Sequence, residues 1–133
     1  LYISVLEHIK NDTEEIKVAL IKIKDNGYVV ICVPAHNYMF SRFDKEIGHF
    51  RRYKVDFFKD LNIGKNEIIK LHYLNFFGYF LYFLNKIFFK DEIYPSIFKI
   101  FVWDKIFTPF TIIFDRLLGF RYGKNVLCIM KKK

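Results

Sequence analysis

An α/β fold is what this sequence predicts, and three observations carry the prediction. Leu1–Leu6 and Tyr28–Val33 are apolar runs of strand length, the second rich in β-branched residues. The stretch between them holds the signals of a single helix. "YVVICV" is apolar at consecutive positions, as in a strand of a parallel sheet covered by helices on both faces. Strand, helix and strand joined by short links make a right-handed βαβ unit.

Each element follows in order. The run Leu1–Leu6 is broken only by Ser4, and "EHIKND" reads as the loop after it. Asp12 is the expected N-cap, with Glu15 three residues on completing a capping box. Ile16, Leu20 and Ile23 then share one helical face, and Gly27 is the expected left-handed stop. Pro34 ends the second strand. "KVDFFKDL" predicts a short helix closing near Asn62 and Gly64, and Glu67–Leu74 a further strand. From Phe76 to Tyr122 the chain reads as helical and aromatic, with breaks at Pro95 and Pro109. Asn125–Met130 is the last strand, and Lys131–Lys133 a solvated tail. No linker or repeat divides the chain, so residues 1–133 form one domain, or the later part of one.

The bulk composition narrows the function classes. A chain of 133 residues with 53% hydrophobic content can bury one core and is not a disordered tail. The 17 Phe and 9 Tyr lie mostly beyond Tyr53, so the second half has large rings to bury against a core, a lipid surface or a partner. A net charge of +8 favours anionic partners, with a solvated Lys-rich surface as the plain alternative. Cys32 and Cys128 stand far apart inside apolar runs without metal-ligand spacing, and read as inert buried thiols of a reducing compartment. The chain opens at Leu1, not Met, and is expected to lack its natural start.

Between the second strand and the short helix lies "VPAHNYMFSRFDKEIGHFRRY", Val33–Tyr53. A buried strand ordinarily exits into a short turn, but this one exits into a segment dense in His, Arg and carboxylates. "VLEHI" after a strand, then the helix, then "VPAH" closing the next strand, resembles the second half of a class I S-adenosylmethionine-dependent methyltransferase. The longer pattern "VPAH…SRFDKEIGHFRRY" with "NFFGY" is similar to a bacterial and archaeal subgroup of methyltransferase-domain proteins. The resemblance spans nearly the whole chain.

That resemblance implies a Rossmann-like, mostly parallel seven-stranded sheet whose last strand is antiparallel. The chain would supply the C-terminal portion: Leu1–Leu6 as strand four, Tyr28–Val33 as five, Glu67–Leu74 as six and Asn125–Met130 as seven. Residues 76–122 would be a helical, aromatic-rich insertion between the last two strands. The glycine-rich loop and ribose-binding acid of the N-terminal half would precede Leu1, so this chain by itself is expected to be inactive.

The resemblance also implies a site. S-adenosyl-L-methionine would be the cofactor, approached by Ile3, Ser4, Val5 and Leu6, with Glu7 and His8 facing the methyl-transfer cleft or else merely capping the turn. A hydroxyl acceptor would need a general base, and His8, His36 and His49 are the candidates. Val33–Tyr53 would be the acceptor loop, whose Arg42, Arg51, Arg52 and Tyr53 bind substrate together with Glu7 from the turn after the first strand. The competing reading has Asp44, Glu46 and the arginines paired with one another, pinning the loop. His72 reads as structural. No metal is expected: some quinone-biosynthesis relatives hold one with a further carboxylate where this chain has Ser4, and Glu7 with His8 suffices only for weak binding.

The aromatic stretch "YLNFFGYFLYFLN" is 13 residues long, short of the about 20 needed to cross a bilayer. With Lys86 and Lys90 it suits a helix lying in a membrane interface, and equally a dimer contact or a lid; a soluble lid is the favoured reading. The expected acceptor is therefore a small molecule or a lipid-linked one, and the expected location is the cytoplasm, with the membrane surface as an alternative. Nucleic acid is disfavoured because the lysines are spread along the chain and not gathered on one face. Two rivals remain, an RNA-modifying methyltransferase and a non-catalytic truncated interaction module. Composition and pattern do not fix the oligomeric state.

Overall fold

The structure, a computed structural model, describes residues 1–61, 66–88, 101, 105 and 107–133. Its strands are β1 (Tyr2–Ile3), β2 (Tyr28–Pro34), β3 (Asn66–Leu74) and β4 (Asn125–Lys132). They form one mixed sheet in the order β1-β2-β4-β3. β1 runs parallel to β2, with Tyr2 opposite Ile31, while β4 runs antiparallel to both β2 and β3. The molecule is therefore α/β, with the last strand inserted between its two predecessors.

The parallel step from β1 to β2 passes through α1 (Asp12–Lys22), as a crossover must. Ile16 and Leu20 are buried on its inner face, with Ile23 packed beside them against β2 and β4. Three local expectations change. The N-cap is Asn11, and no side chain caps the helix. Asp12, one position later, is turned inward and buried, while Glu15 accepts a 2.6 Å hydrogen bond from the Tyr2 hydroxyl, which pushes that phenol's pKa up to about 12. At the other end the left-handed residue is Asn26, with φ 63°, and Gly27 answers a different need. A Cβ there would lie 2.7 Å from the Lys24 carbonyl oxygen, so the turn closes too tightly for a side chain.

β2 alternates where full burial was expected. Val29, Ile31 and Val33 are buried, while Val30 and Cys32 are only half-covered. The strand neighbours one parallel and one antiparallel strand, and only one of its faces is packed into the main core. β4 repeats the alternation with Val126, Cys128 and Met130 facing inward. Both cysteines are free, and burial pushes the Cys128 thiol up to about 12, which makes it a poor nucleophile.

The segment after β2 folds as α2 (Arg42–Glu46) and α3 (Val55–Lys59), short helices flanking an extended return. That return is pinned by Tyr53, whose N–H donates to the Pro34 carbonyl while its own carbonyl accepts from His36. Beyond β3 come α4 (Phe76–Phe88) and α5 (Thr108–Leu117), which pack on each other. Asp115 on α5 is buried and accepts hydrogen bonds from the Asn75 and Phe76 N–H groups, satisfying the amino end of α4. Gly123, just before β4, lies so close to Leu74 that a Cβ would approach its carbonyl oxygen to 2.2 Å. The helix closure expected near Asn62 and Gly64 and the break at Pro95 fall outside the described residues, as does Lys90. Among the described residues no helix is long and apolar enough to cross a membrane.

Candidate functional site

Ligands of open α/β sheets gather at the carboxyl ends of parallel strands. In this chain those ends belong to β1 and β2. Both chains leave the sheet through a residue held at positive φ, Ser4 at 51° and His36 at 62°. Left-handed conformations cost a residue with a Cβ about 1 kcal/mol or more, and such cost persists where the surroundings impose it. Ser4 is held by its N–H donating to Cys32 (2.9 Å), and His36 by its backbone bond to Tyr53.

After Ser4 a 3-10 turn, Leu6–His8, presents three side chains with different fates. Leu6 is fully buried in the core, Glu7 is 1% exposed, and His8 is exposed. The Phe50 N–H donates to the Glu7 carbonyl at 2.8 Å, drawing the His49–Phe50 peptide against this turn. As a result the His8 and His49 rings meet edge to face, with centroids 4.6 Å apart. His49 Nε2 lies 3.8 Å from Glu7 Oε1.

Asp44 organises the other side. Ser41 and Asp44 form a reciprocal capping box at the start of α2. The same carboxylate accepts from Arg52 Nε (3.0 Å) and Nη2 (2.9 Å), and Oδ1 pairs with His49 Nδ1 at 2.8 Å. Burial would raise the Asp44 carboxyl, but the Arg52 and Ser41 hydrogen bonds outweigh it and hold the group below the usual carboxylate value. Asp44 is thus the ionised centre of a buried Ser–Asp–Arg–His knot.

The acceptor-binding roles expected of the arginines change accordingly. Arg52 is 7% exposed and committed to Asp44. Arg51 donates to Asp12 Oδ2 (2.9 Å) and to the Lys10 carbonyl (2.8 Å), and Arg42 pairs with Glu46 one helical turn away. Tyr53 is a core residue, its hydroxyl within hydrogen-bonding distance of Leu6 O (3.1 Å) and Asp12 Oδ2 (2.9 Å). Burial, followed by that Asp12 contact, drives its phenol far above the usual value. Arg52–Asp44 and Arg42–Glu46 are pairs within the segment, the first buried and not at the surface, while Arg51 pairs with Asp12 outside it. The donors proposed to grip a substrate already hold the protein.

The remaining predicted residues separate. Ile3 and Val5 are exposed beside Ser4, leaving surface there for a ligand, whereas Leu6 is sealed. His36 sits apart from His8 and His49, stacked between Tyr38 (5.0 Å) and Tyr73 (4.7 Å), with Nε2 at 3.1 Å from the Gly123 carbonyl. Burial, with help from Lys54 and Arg52, lowers its pKa despite that carbonyl contact. Two residues play parts that the sequence did not assign them: Asp44, read only as an ion-pair partner, is also the cap of α2 and the partner of His49, and Lys124 was not singled out. Asp44 was legible, because "SRFD" has the spacing of a cap. Lys124, whose ammonium is disfavoured chiefly by burial and then by Arg52, has no local signal at all.

No family model, curated protein or solved structure matches this chain.

Proposed function

We propose that the chain is the acceptor-side part of a class I S-adenosylmethionine-dependent methyltransferase, acting on a small-molecule or lipid-linked acceptor. One observation carries the reading. Two adjacent parallel strands, joined by a crossover helix, are each left at the carboxyl end through a residue at positive φ, Ser4 and His36. The antiparallel last strand agrees with what the resemblance implies. S-adenosyl-L-methionine would lie along exposed Ile3, Ser4 and Val5. Glu7 and the His8–His49 pair would face the transferred methyl group.

Methyl transfer from a sulfonium is already activated, so alignment is the main task of the protein. An acceptor hydroxyl would also need a proton acceptor. His8 and His49, whose rings meet at the turn after β1, suit that role better than His36, whose ring stacks among tyrosines away from them. Crosslinking tritiated S-adenosylmethionine to the whole gene product under ultraviolet light, followed by peptide mapping, tests the reading. Label in the peptide spanning Ile3–His8, competed away by S-adenosylhomocysteine, is the expected result. Absence of competable label would reject the methyltransferase reading.

A further inference from the structure

The Glu7 carboxylate is almost completely buried, and neither of its oxygens has a hydrogen-bond partner. A buried carboxylate without a donor is among the costliest arrangements a protein can hold. Its nearest nitrogen deepens the problem. His49 Nδ1 lies 2.8 Å from Asp44, an ionised acceptor held by Arg52, so the hydrogen-bond network assigns the imidazole proton to Nδ1. In the neutral ring Nε2 then carries a lone pair, and that lone pair faces Glu7 Oε1 across 3.8 Å. In that form Nε2 and Oε1 are two acceptors facing each other, and at 3.8 Å the pair lies beyond hydrogen-bond distance whichever form the ring takes. The His8 ring stands beside both, and one ligand atom from each of the three residues lies within 4.8 Å of the others.

We propose that Glu7, His8 and His49 bind a divalent transition-metal cation of the zinc type. A cation on this spot removes both penalties at once, neutralising the orphaned carboxylate and taking up the Nε2 lone pair. The Asp44–His49 contact is the support that metal-binding imidazoles ordinarily have, a carboxylate on the second ring nitrogen that fixes the tautomer and raises basicity. Two nitrogens and one oxygen favour zinc, cobalt or iron(II) over magnesium or calcium, which prefer oxygen ligands. Bond lengths of about 2.1 Å put tetrahedral ligand atoms about 3.4 Å apart. The cluster must therefore contract slightly. His8 supplies that movement, because its side chain is exposed and the neighbouring Gly48 carries no side chain to hold the ring in place. The exposed edge at His8 is also the route by which an ion arrives. Three protein ligands leave a tetrahedral position for water or a substrate oxygen. The proposal stands on the cluster itself and holds whether or not the chain transfers methyl groups; with the ion bound, His8 and His49 are ligands and neither is the proton acceptor of a methyl transfer.

The test is titration of the untagged chain with cobalt(II) and zinc(II), followed by visible absorption and by thermal melting. One cobalt ion per chain with intense tetrahedral bands, displaced by zinc and not by magnesium, is expected. His8→Ala, on an exposed side chain, should fold normally and weaken binding by about 100-fold or more, beyond the cost of losing a ligand's supporting hydrogen bond. His49→Gln should do the same, and zinc should raise the melting temperature of the wild type but of neither variant. Binding that His8→Ala and His49→Gln leave unchanged would overturn the proposal. So would a wild-type chain that takes up neither ion, whatever the stability of Glu7→Gln.

Discussion

The two ends of this sheet solve opposite problems. Around β1 and the end of β2, charged and polar groups lie inside: Glu7, Asp12, Asp44 and Arg52 are all nearly inaccessible. Around α4 and α5, apolar groups lie outside: Phe110, Ile112, Ile113 and Leu117 are exposed, and a 210 Å³ cavity is lined by Ile112, Ile113, Arg116 and Leu117. The first end invests stability in geometry, because buried charges contribute little net energy unless every partner is in place. The second leaves apolar surface that the packing of the described residues does not use. Specific chemistry is expected at the first end and contact with another surface at the second.

The largest effect expected from this contrast is at Asp44. Asp44→Ala removes at once the partner of Arg52, the His49 contact and the cap of α2. Stripping one member from a buried pair leaves an uncompensated charge and costs about 3–5 kcal/mol. Urea denaturation of the variant should show that loss. A loss below about 1 kcal/mol would mean that the knot is hydrated, and the contrast between the two ends would fail.

A smaller loss is expected at Tyr53, where the ring is core and the hydroxyl belongs to the polar end. Tyr53→Phe keeps the ring contacts with Phe57 and Phe58 and deletes the contacts to Leu6 O and Asp12. Asp12 retains Arg51, so the cost should be about 1.5–3 kcal/mol, the scale of one hydrogen bond to a charged group. Calorimetric melting measures it. No change would place that hydroxyl among solvated groups.

These residues also show which parts of the molecule were legible in sequence. Strands β2, β3 and β4 and helix α1 were readable, because contiguous β-branched runs and a spaced apolar face are local signals. β1 is shorter than its apolar run, because the left-handed turn at Ser4 takes the chain out of the sheet. Glu7 and His8 were readable as neighbours. His49 could not be attached to them, since only the return of the loop and the Phe50-to-Glu7 backbone bond bring it there. Arg51 and Arg52 looked like ligand-binding groups for a related reason. Sequence shows a cluster of donors, and only the fold shows that Asp12 and Asp44 have consumed them.

His36 lies between the two regions, its ring among Tyr38, Tyr73 and Tyr79. Its folded pKa is lowered from 6.5, chiefly by burial. The unfolded chain therefore binds the proton more readily, and folding is favoured by the neutral ring. That contribution is fully present above pH 6.5 and is lost as pH falls through the lower folded value. Stability measured between pH 7 and pH 5 should decline, and His36→Gln should decline less steeply. Parallel slopes would place the pH sensitivity elsewhere.

The smallest effect is expected at Leu117, and it decides the other half of the comparison. The side chain is 75% exposed on the face of α5 that carries Ile112 and Ile113. Changes on a solvated face ordinarily move stability by no more than about 0.5 kcal/mol. Leu117→Gln should therefore leave the unfolding midpoint at low protein concentration unchanged. It should weaken any self-association or vesicle binding seen by sedimentation, because an apolar patch loses its most exposed member. A loss of 1 kcal/mol or more in the dilute protein would show that another part of the chain covers this face. The apolar end would then be core, and the asymmetry between the two ends would vanish.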